Sequence, residues 1–427
     1  MKKIGIAGAG YVGISTAVLF AELGHRVTLV DIDEEKVEKI NAGKAPIYEK
    51  GLQELLEKHV GKALSASTSY DIINESDIIF ICVGTPSKED GSINLDYVRK
   101  SSEEISKRIN RYKVIVVKST VLPGTTENVV IPILEKGSGK KVGRDFGVCM
   151  NPEFLREGSA IYDSFNPDRI VIGEYDKKSG DFLENLYKPL NAPILRTNLK
   201  TAEMIKYASN AFLATKISFA NEIANICEKI GGVDVYDVMK GVGMDHRISP
   251  YFLNAGVGFG GSCFPKDLKA LIKFSEEKSY EPILLKSVLE VNDYQPKHLV
   301  DRVEEKVGSL KGKTVCVLGL SFKPNTDDVR ESRAIIIVNE LIKRGAHIIA
   351  YDPKAKENFQ QLFPNITYVD NVDDALKKAE ICIIQADWDE FKNLDYSRYK
   401  NLVLIADGRR TISKKIDIPY ITVGYRW

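Results

Sequence analysis

The stretch Gly258–Asp267 reads GFGGSCFPKD, and with Gly256 just upstream it places four glycines ahead of Cys263, with Lys266 and Asp267 close behind. A thiol is a nucleophile only as its thiolate, and an ordinary cysteine with a pKa of ~8.5 is mostly protonated at neutral pH. A lysine nearby, Lys206 or Lys266, would raise the thiolate fraction. Asp267 is placed to act as a base or to hold a water. The glycines leave room for the loop to approach a flat ligand. These ten residues alone fit equally a tight glycine turn with an incidental cysteine.

A second glycine cluster gives the thiol a context. Gly8, Gly10, Tyr11, Val12 and Gly13 belong to GAGYVG, which follows an apolar strand, opens a helix and precedes a second strand ending at Asp31. Asp31 stands near the offset of roughly 20 residues at which a carboxylate binds ribose hydroxyls in a dinucleotide fold. Such a carboxylate repels a 2′-phosphate, so NAD is expected over NADP. Lys36 is close enough in sequence to meet the adenosine ribose or the phosphates. Val83–Pro86 (VGTP, with Thr85) and Lys118–Val121 (KSTV, with Thr120) sit at strand ends, where open α/β sheets bind ligands. Either string is also compatible with a plain turn. A thiolate beside a dinucleotide site suggests oxidation through a thiohemiacetal, hydride loss to a thioester, and release of an acid by water.

Three further strings carry charge. Asn151–Glu157 (NPEFLRE) offers Glu153 and Glu157 about one helical turn apart, so that they can share a face, or a solvated turn. Lys206 and Asn210 are four apart on a helical pattern, and the apolar run after Asn210 turns their face toward packed protein. Phe322–Ser332 (FKPNTDDVRES) supplies Lys323 and Arg330 at a strand-to-helix turn, a position that favours phosphate. No GxGxxG pattern accompanies it, so a nucleotide other than NAD is expected there. Arg409 and Arg410 end a later strand and add two cations, or form a surface pair.

The elements that must position these residues follow an α/β rhythm. At 427 residues the chain has room for roughly three domains. Strands are expected at Lys3–Ala7, Arg26–Val30, and in IIFICVG, KVIVVKS and FGVCMN, with a helix from Tyr11 to Leu23. That alternation implies a doubly wound parallel sheet. A helical pattern runs from Thr201 to Ile230, and a second from Pro282 to Val307 with Pro296 as a kink or break. From Lys313 the strands KTVCVLG, HIIAYD, EICIIQA and LVLIAD form a weak echo of the first part. The expected organisation is two Rossmann-like doubly wound parallel-sheet domains joined by a long central helix. The divisions fall at 1–195 for the dinucleotide domain, 196–300 for a central helical dimerisation and active-site domain, and 301–427 for the second nucleotide domain.

Composition excludes several classes. The net charge of +1 provides no bulk field for nucleic acid, although local positive pockets for a small anion remain. No uninterrupted apolar run has membrane-spanning length. MKKIGIAGAG reads as a strand entering a turn and not as a signal peptide, so a cytoplasmic enzyme is expected. Cys82, Cys149, Cys227, Cys316 and Cys382 lie in strand-like or helical runs and read as inert core residues. No C-x-x-C spacing occurs and only five histidines are present, which argues against a metal site or a disulfide framework.

GAGYVG, VGTP, KSTV, NPEFLREG, KYASNAFLA, GVGFGGSCFPKD and FKPNTDDVRES occur here in the order found in nucleotide-sugar dehydrogenases, and essentially the whole chain resembles that family. The resemblance implies an NAD domain, a central helix, and a C-terminal domain holding UDP. It implies oxidation of carbon 6 of UDP-glucose twice, with two NAD per UDP-glucuronate, in a homodimer or higher homo-oligomer. By the same resemblance Cys263 is the nucleophile. Lys206 and Asp267 position and activate water, Thr120 and Asn210 assist, and Glu153 lies beside the reacting carbon. Glu157 and Arg330 face the nicotinamide, and Lys266 the cofactor. Phe154, Leu155 and Arg156 join the substrate site, with Phe252, Leu253, Asn254, Ala255, Gly256, Gly260, Phe322, Lys323, Arg409 and Arg410. Arg247 is expected across a dimer interface. Asn254 replaces a lysine found in some members. Relatives acting on UDP-N-acetylmannosamine usually carry histidine before the cysteine, where this chain has Ser262. A UDP-N-acetylmannosamine or GDP-mannose enzyme, a single-step hydroxyacid dehydrogenase, and a non-catalytic NAD sensor are the alternatives. The single-step enzyme has no need of Cys263 or the third domain, and the sensor no need of Cys263, Lys206 and Asp267 together.

Overall fold

A computed structural model describes residues 1–414 and 416–425. The chain forms two compact units, Met1–Ser209 and Asn210–Trp427, with the division inside the helix Leu199–Ile230.

The first unit is built on an eight-stranded sheet: β1 (Lys3–Ala7), β2 (Arg26–Val30), β3 (Leu64–Ser67), β4 (Ile78–Ile81), β5 (Val114–Val117), β6 (Gly147–Met150), β7 (Ile170–Glu174) and β8 (Ile194–Asn198). Its order is β3-β2-β1-β4-β5-β6-β7-β8. All neighbours are parallel except β6 and β7. The strands expected from the sequence, β1, β2, β4, β5 and β6, are mutually parallel, and the one antiparallel step comes at β7, which the sequence reading did not single out. β4 (IIFI) and β5 (VIVV) are buried along their whole length, as continuous β-branched runs covered on both faces should be.

Register decides what happens at the C-terminal edge. Ala7 pairs with Ile81, Ile81 with Val117, and Val117 with Met150. The next residue of each strand therefore comes level with its neighbours, which lines up Gly8, Cys82, Lys118 and Asn151. The order reverses between β1 and β4, and that switch point is where open α/β sheets leave a crevice.

The second unit carries a six-stranded sheet: β9 (Thr314–Leu318), β10 (His347–Tyr351), β11 (Thr367–Tyr368), β12 (Ile381–Ile384), β13 (Leu404–Asp407) and β14 (Tyr420–Thr422). It runs β11-β10-β9-β12-β13-β14, with every pair parallel. The helix Ile283–Val307 continues through Pro296 without a break. Proline there removes the N–H that would reach the Asn292 carbonyl four residues back. The Asn292 side chain, one turn before, serves the cysteine loop, as described below. Among the described residues no helix is long and apolar enough to cross a membrane.

The turn after β1 separates two kinds of glycine. A Cβ at Gly13 would stand 1.8 Å from the Gly8 carbonyl oxygen, whereas one at Gly10 would meet nothing within 4 Å. Gly13→Ala is therefore expected to cost roughly 2 kcal/mol or more of stability. Gly10→Ala should leave the urea midpoint nearly unchanged and weaken only dinucleotide binding. Equal midpoints for the two variants would refute this division of roles.

Candidate active site

The dinucleotide cradle in the first unit fits an NAD pyrophosphate and ribose. The helix Tyr11–Glu22 begins after Gly10 with no side chain capping its N-terminus, so its first N–H groups and the open face of Gly10 are available to an anion. Asp31 follows β2 directly. Its Oδ2 accepts from the Ala9 N–H at 2.6 Å and its Oδ1 from the Asp33 N–H at 3.0 Å, which fixes the carboxylate beside the turn. Tyr11 and Val12 are half-buried at the helix start. Lys36 lies 3.4 Å from Asp33 on the following helix. The Thr85 hydroxyl donates to the Thr120 carbonyl at 2.9 Å and joins the two strand-end loops.

Glu153 and Lys206 meet in the same unit. Lys206 Nζ donates to Glu153 Oε1 at 2.8 Å, and the two side chains are only 4% and 7% exposed. Burial pushes the Glu153 carboxyl up. The Lys206 ammonium, the Leu155 N–H and the Lys118 charge outweigh it and hold the group below the usual carboxylate range. Phe154 lies under two cations, Arg169 at 3.8 Å and Lys206 at 5.5 Å from the ring centre. Arg156 is exposed and pairs with Asp163. Residues 151–156 contain no helix, and the helix of this segment begins at Ala160. Glu153 and Glu157 are thus not aligned by a helical turn, because Pro152 biases its predecessor toward extended backbone and starts the segment as a loop.

Cys263 lies in the second unit, immediately before the helix Phe264–Glu277, whose first turn contains Pro265. The positive end of that helix favours negative charge on the sulfur. Ser262 Oγ lies 3.5 Å from Cys263 Sγ, and the Cys263 carbonyl accepts from the Asp267 N–H at 2.9 Å. Asp267 is buried. Its Oδ2 accepts from Asn210 Nδ2 at 2.7 Å, and its Oδ1 pairs with Lys266 Nζ at 2.5 Å. Lys266, expected at the cofactor, is thus held on the neighbouring carboxylate.

The cysteine loop is not the roomy turn its glycines suggest. Residues 255–261 are buried. A Cβ at Gly260 would stand 2.2 Å from the Glu331 carbonyl oxygen, and one at Gly258 would stand 2.6 Å from Asn292 Oδ1. The glycines admit close approach of the chain to itself, and the expectation that they leave space for ligand is corrected accordingly. Asn292 clamps both backbone groups of Phe259, at 2.6 and 3.0 Å. Asn221 accepts from the Gly256 N–H, and Tyr236 donates to the Ala255 carbonyl. Leu253 is buried, Asn254 exposed and Phe252 half-buried with φ 64°.

Arg409 and Arg410 are not a surface pair. Arg409 donates to the Gly258 carbonyl at 2.6 Å and to the Gln385 carbonyl at 3.0 Å, so it ties the cysteine loop to the end of β12. Arg410 pairs with Asp234 and lies 4.5 Å from the centre of the Tyr236 ring. Lys323 lies over the Phe322 ring. Arg330 pairs with Asp328, while its carbonyl accepts from the Gly261 N–H. The exposed Arg247 pairs with Asp245. Sequence reasoning assigned no role to Asn221, Tyr236 or Asn292, and nothing local marks them. Lys118 does carry a signal, as a charge directly after a fully apolar strand.

A dinucleotide cradle, a buried carboxylate–ammonium pair and a cysteine at a helix start define a nucleotide-dependent dehydrogenase. Residues 2–191, 200–294 and 316–414 match the NAD-binding, central and UDP-binding domains of the UDP-glucose/GDP-mannose dehydrogenase family. The chain belongs to that family, and NAD is its cofactor. It is 45% identical to a UDP-glucose 6-dehydrogenase of Haloferax volcanii, with 98% of this chain and 99% of that protein covered. A solved UDP-glucose dehydrogenase from Pyrobaculum islandicum is 43% identical with a TM-score of 0.93, covering 100% of this chain and 98% of the other. A UDP-D-ManNAc dehydrogenase from Pyrococcus horikoshii is 27% identical with a TM-score of 0.89, covering 99% of each chain.

The Glu153–Lys206 pair has a pH consequence. A carboxyl held below its unfolded value stabilises the fold above that value, and the contribution is lost as pH falls through the folded pKa. Glu153→Gln removes the anion and leaves a buried ammonium uncompensated, at an expected cost of roughly 3 kcal/mol. The double variant Glu153→Gln with Lys206→Met should recover much of it, read as denaturation midpoints at neutral pH. Strictly additive effects would show that the pair is not coupled.

Proposed function

We propose that this protein oxidises UDP-glucose to UDP-glucuronate with two NAD, holding the intermediate on Cys263. The observation that carries the reading is the cysteine at a helix start, followed by an aspartate held between Asn210 and Lys266. Identity above 40% along nearly the whole chain to proteins named for UDP-glucose supports the choice of sugar, as does Ser262 in place of histidine. We keep the functional division at 1–195, 196–300 and 301–427.

NAD, when bound in the cradle, supplies a hydride acceptor for carbon 6, and two are consumed per sugar. The residues do the rest. Cys263 sulfur adds to the carbon 6 aldehyde, and the resulting thiohemiacetal keeps it from leaving. Loss of the second hydride turns that carbon into a thioester. Water then adds, the C–S bond breaks, and the carboxylate leaves with the thiol restored. Asp267 holds the water and takes its proton, with Asn210 orienting the carboxylate. Lys206 joins Asp267 in positioning and activating that water, and Glu153 is the carboxylate beside the reacting carbon. Thr120 assists with the water, Glu157 and Arg330 face the nicotinamide, and Lys266 meets the cofactor. Phe154 to Arg156, Phe252 to Gly256, Gly260, Phe322, Lys323, Arg409 and Arg410 line the substrate, Arg409 by holding the loop.

Besides the UDP-sugar, the partner is a second copy of this chain. Phe212, Phe219, Ile226 and Ile230 are exposed at near-heptad spacing along the long helix. An apolar stripe of that kind is covered in stable assemblies. Arg247, exposed in the single chain, then serves the neighbouring site.

Purified protein is expected to form about two NADH per UDP-glucose with no released aldehyde. One NADH with free aldehyde would remove the thioester. In single turnover with mass spectrometry of the intact protein, Cys263→Ser should bind both ligands and lose turnover. Asp267→Asn should give an early burst of NADH and then stall as an adduct. Near-normal turnover by Cys263→Ser would make Cys263 a structural residue. Asp31→Ala should shrink the preference for NAD over NADP; an unmutated protein that uses both equally would show that Asp31 does not read the ribose.

A further inference from the structure

Lys118 is a buried ammonium that the proposed reaction leaves unused. It follows β5 and stands level with Asn151 through the sheet register. Its Nζ donates to Asn151 Oδ1 at 2.8 Å and to the Tyr187 hydroxyl at 3.3 Å. Tyr187 donates to the same Asn151 oxygen at 2.7 Å, and Asn151 Nδ2 donates to the Val171 carbonyl at 2.8 Å. Both acceptors of the ammonium are neutral. A buried charge without a paired carboxylate costs stability, and an apolar residue of similar shape is normally tolerated as well or better. The groups that face it are the Cys82 thiol after β4, the Glu153 carboxylate, the Lys206 ammonium and the Tyr187 hydroxyl.

We propose that Lys118 is a positioning residue, whose buried ammonium fixes, through Asn151, the loop that carries Glu153. The inference rests on the reading that Glu153 acts at the substrate. Asn151 is two residues from Glu153, so the hydrogen bonds that hold Asn151 also set the origin of the Glu153 side chain. Lys118 adds a second positive charge on the carboxylate held by Lys206.

Burial pulls the Lys118 ammonium down to about 8, with Lys206 adding repulsion and Glu153 opposing it. Below that pH Lys118 is charged and acts on Glu153; above it the charge is lost. The effect of removing Lys118 must therefore depend on pH.

The test compares Lys118→Met with the unmutated protein on UDP-glucose and NAD, between about pH 6.5 and 9.5. At neutral pH kcat is expected to fall by roughly 10-fold or more with KM nearly unchanged. The deficit should narrow above about pH 8, where the unmutated protein loses the same charge. A deficit equal at every pH would reduce Lys118 to packing and overturn the proposal. Should Lys118→Met fail to fold, Tyr187→Phe removes one acceptor of the ammonium and must move the alkaline loss of kcat to lower pH; no movement overturns it. A carbon-13 NMR titration of labelled lysines stands apart from activity. Glu153→Gln must lower the Lys118 titration, and an unmoved signal refutes the coupling even if UDP-glucose is not the substrate.

Discussion

A carboxylate and an ammonium buried together, Glu153 with Lys206, constrain much of the first unit. Neither charge can be carried alone in so dry a place, so the β6 loop must meet the long helix at one spacing. That requirement sets the loop that continues through Phe154 and Arg156, and it is why Phe154 lies beneath two cations. The parallel register makes the meeting possible, since it brings the ends of β4, β5 and β6 level.

The cysteine loop is governed by a different constraint. Its backbone is held by side chains distant in sequence: Asn221, Asn292, Tyr236 and Arg409. These bonds hold the segment ahead of Cys263 in one conformation, as the proposed nucleophile requires, because a displacement on the order of 1 Å costs heavily in rate. The glycines permit this close packing, and Pro296 frees the helix carbonyl at Asn292 beside which Gly258 passes.

The two sheets are related in form and differ in what they leave open. Asp31 and Asp352 both follow the second strand of their sheet in chain order. Asp31 holds the Ala9 N–H and remains at the rim. Asp352 is buried and accepts from Leu320, Ser321, Lys354, Ala355 and the Trp388 ring N–H. A carboxylate so engaged has no lone pair left for a ribose, in keeping with the match of residues 316–414 to a UDP-binding rather than an NAD-binding domain.

Much of this molecule was legible in the order of residues. The GAGYVG turn, Asp31 and the runs IIFI and VIVV carry their meaning locally, because a tight turn, a strand end and a doubly covered strand each demand particular side chains. Only the tertiary structure decided that Lys118 meets Asn151, that Arg409 grips Gly258, and that the cysteine loop is packed and not open. It also decided that residues 151–156 form a loop and that Pro296 sits inside an unbroken helix. Those outcomes depend on sheet register and on contacts between residues far apart in the chain. The energy of a buried hydrogen bond or ion pair belongs to both partners, and neither partner's local sequence names the other.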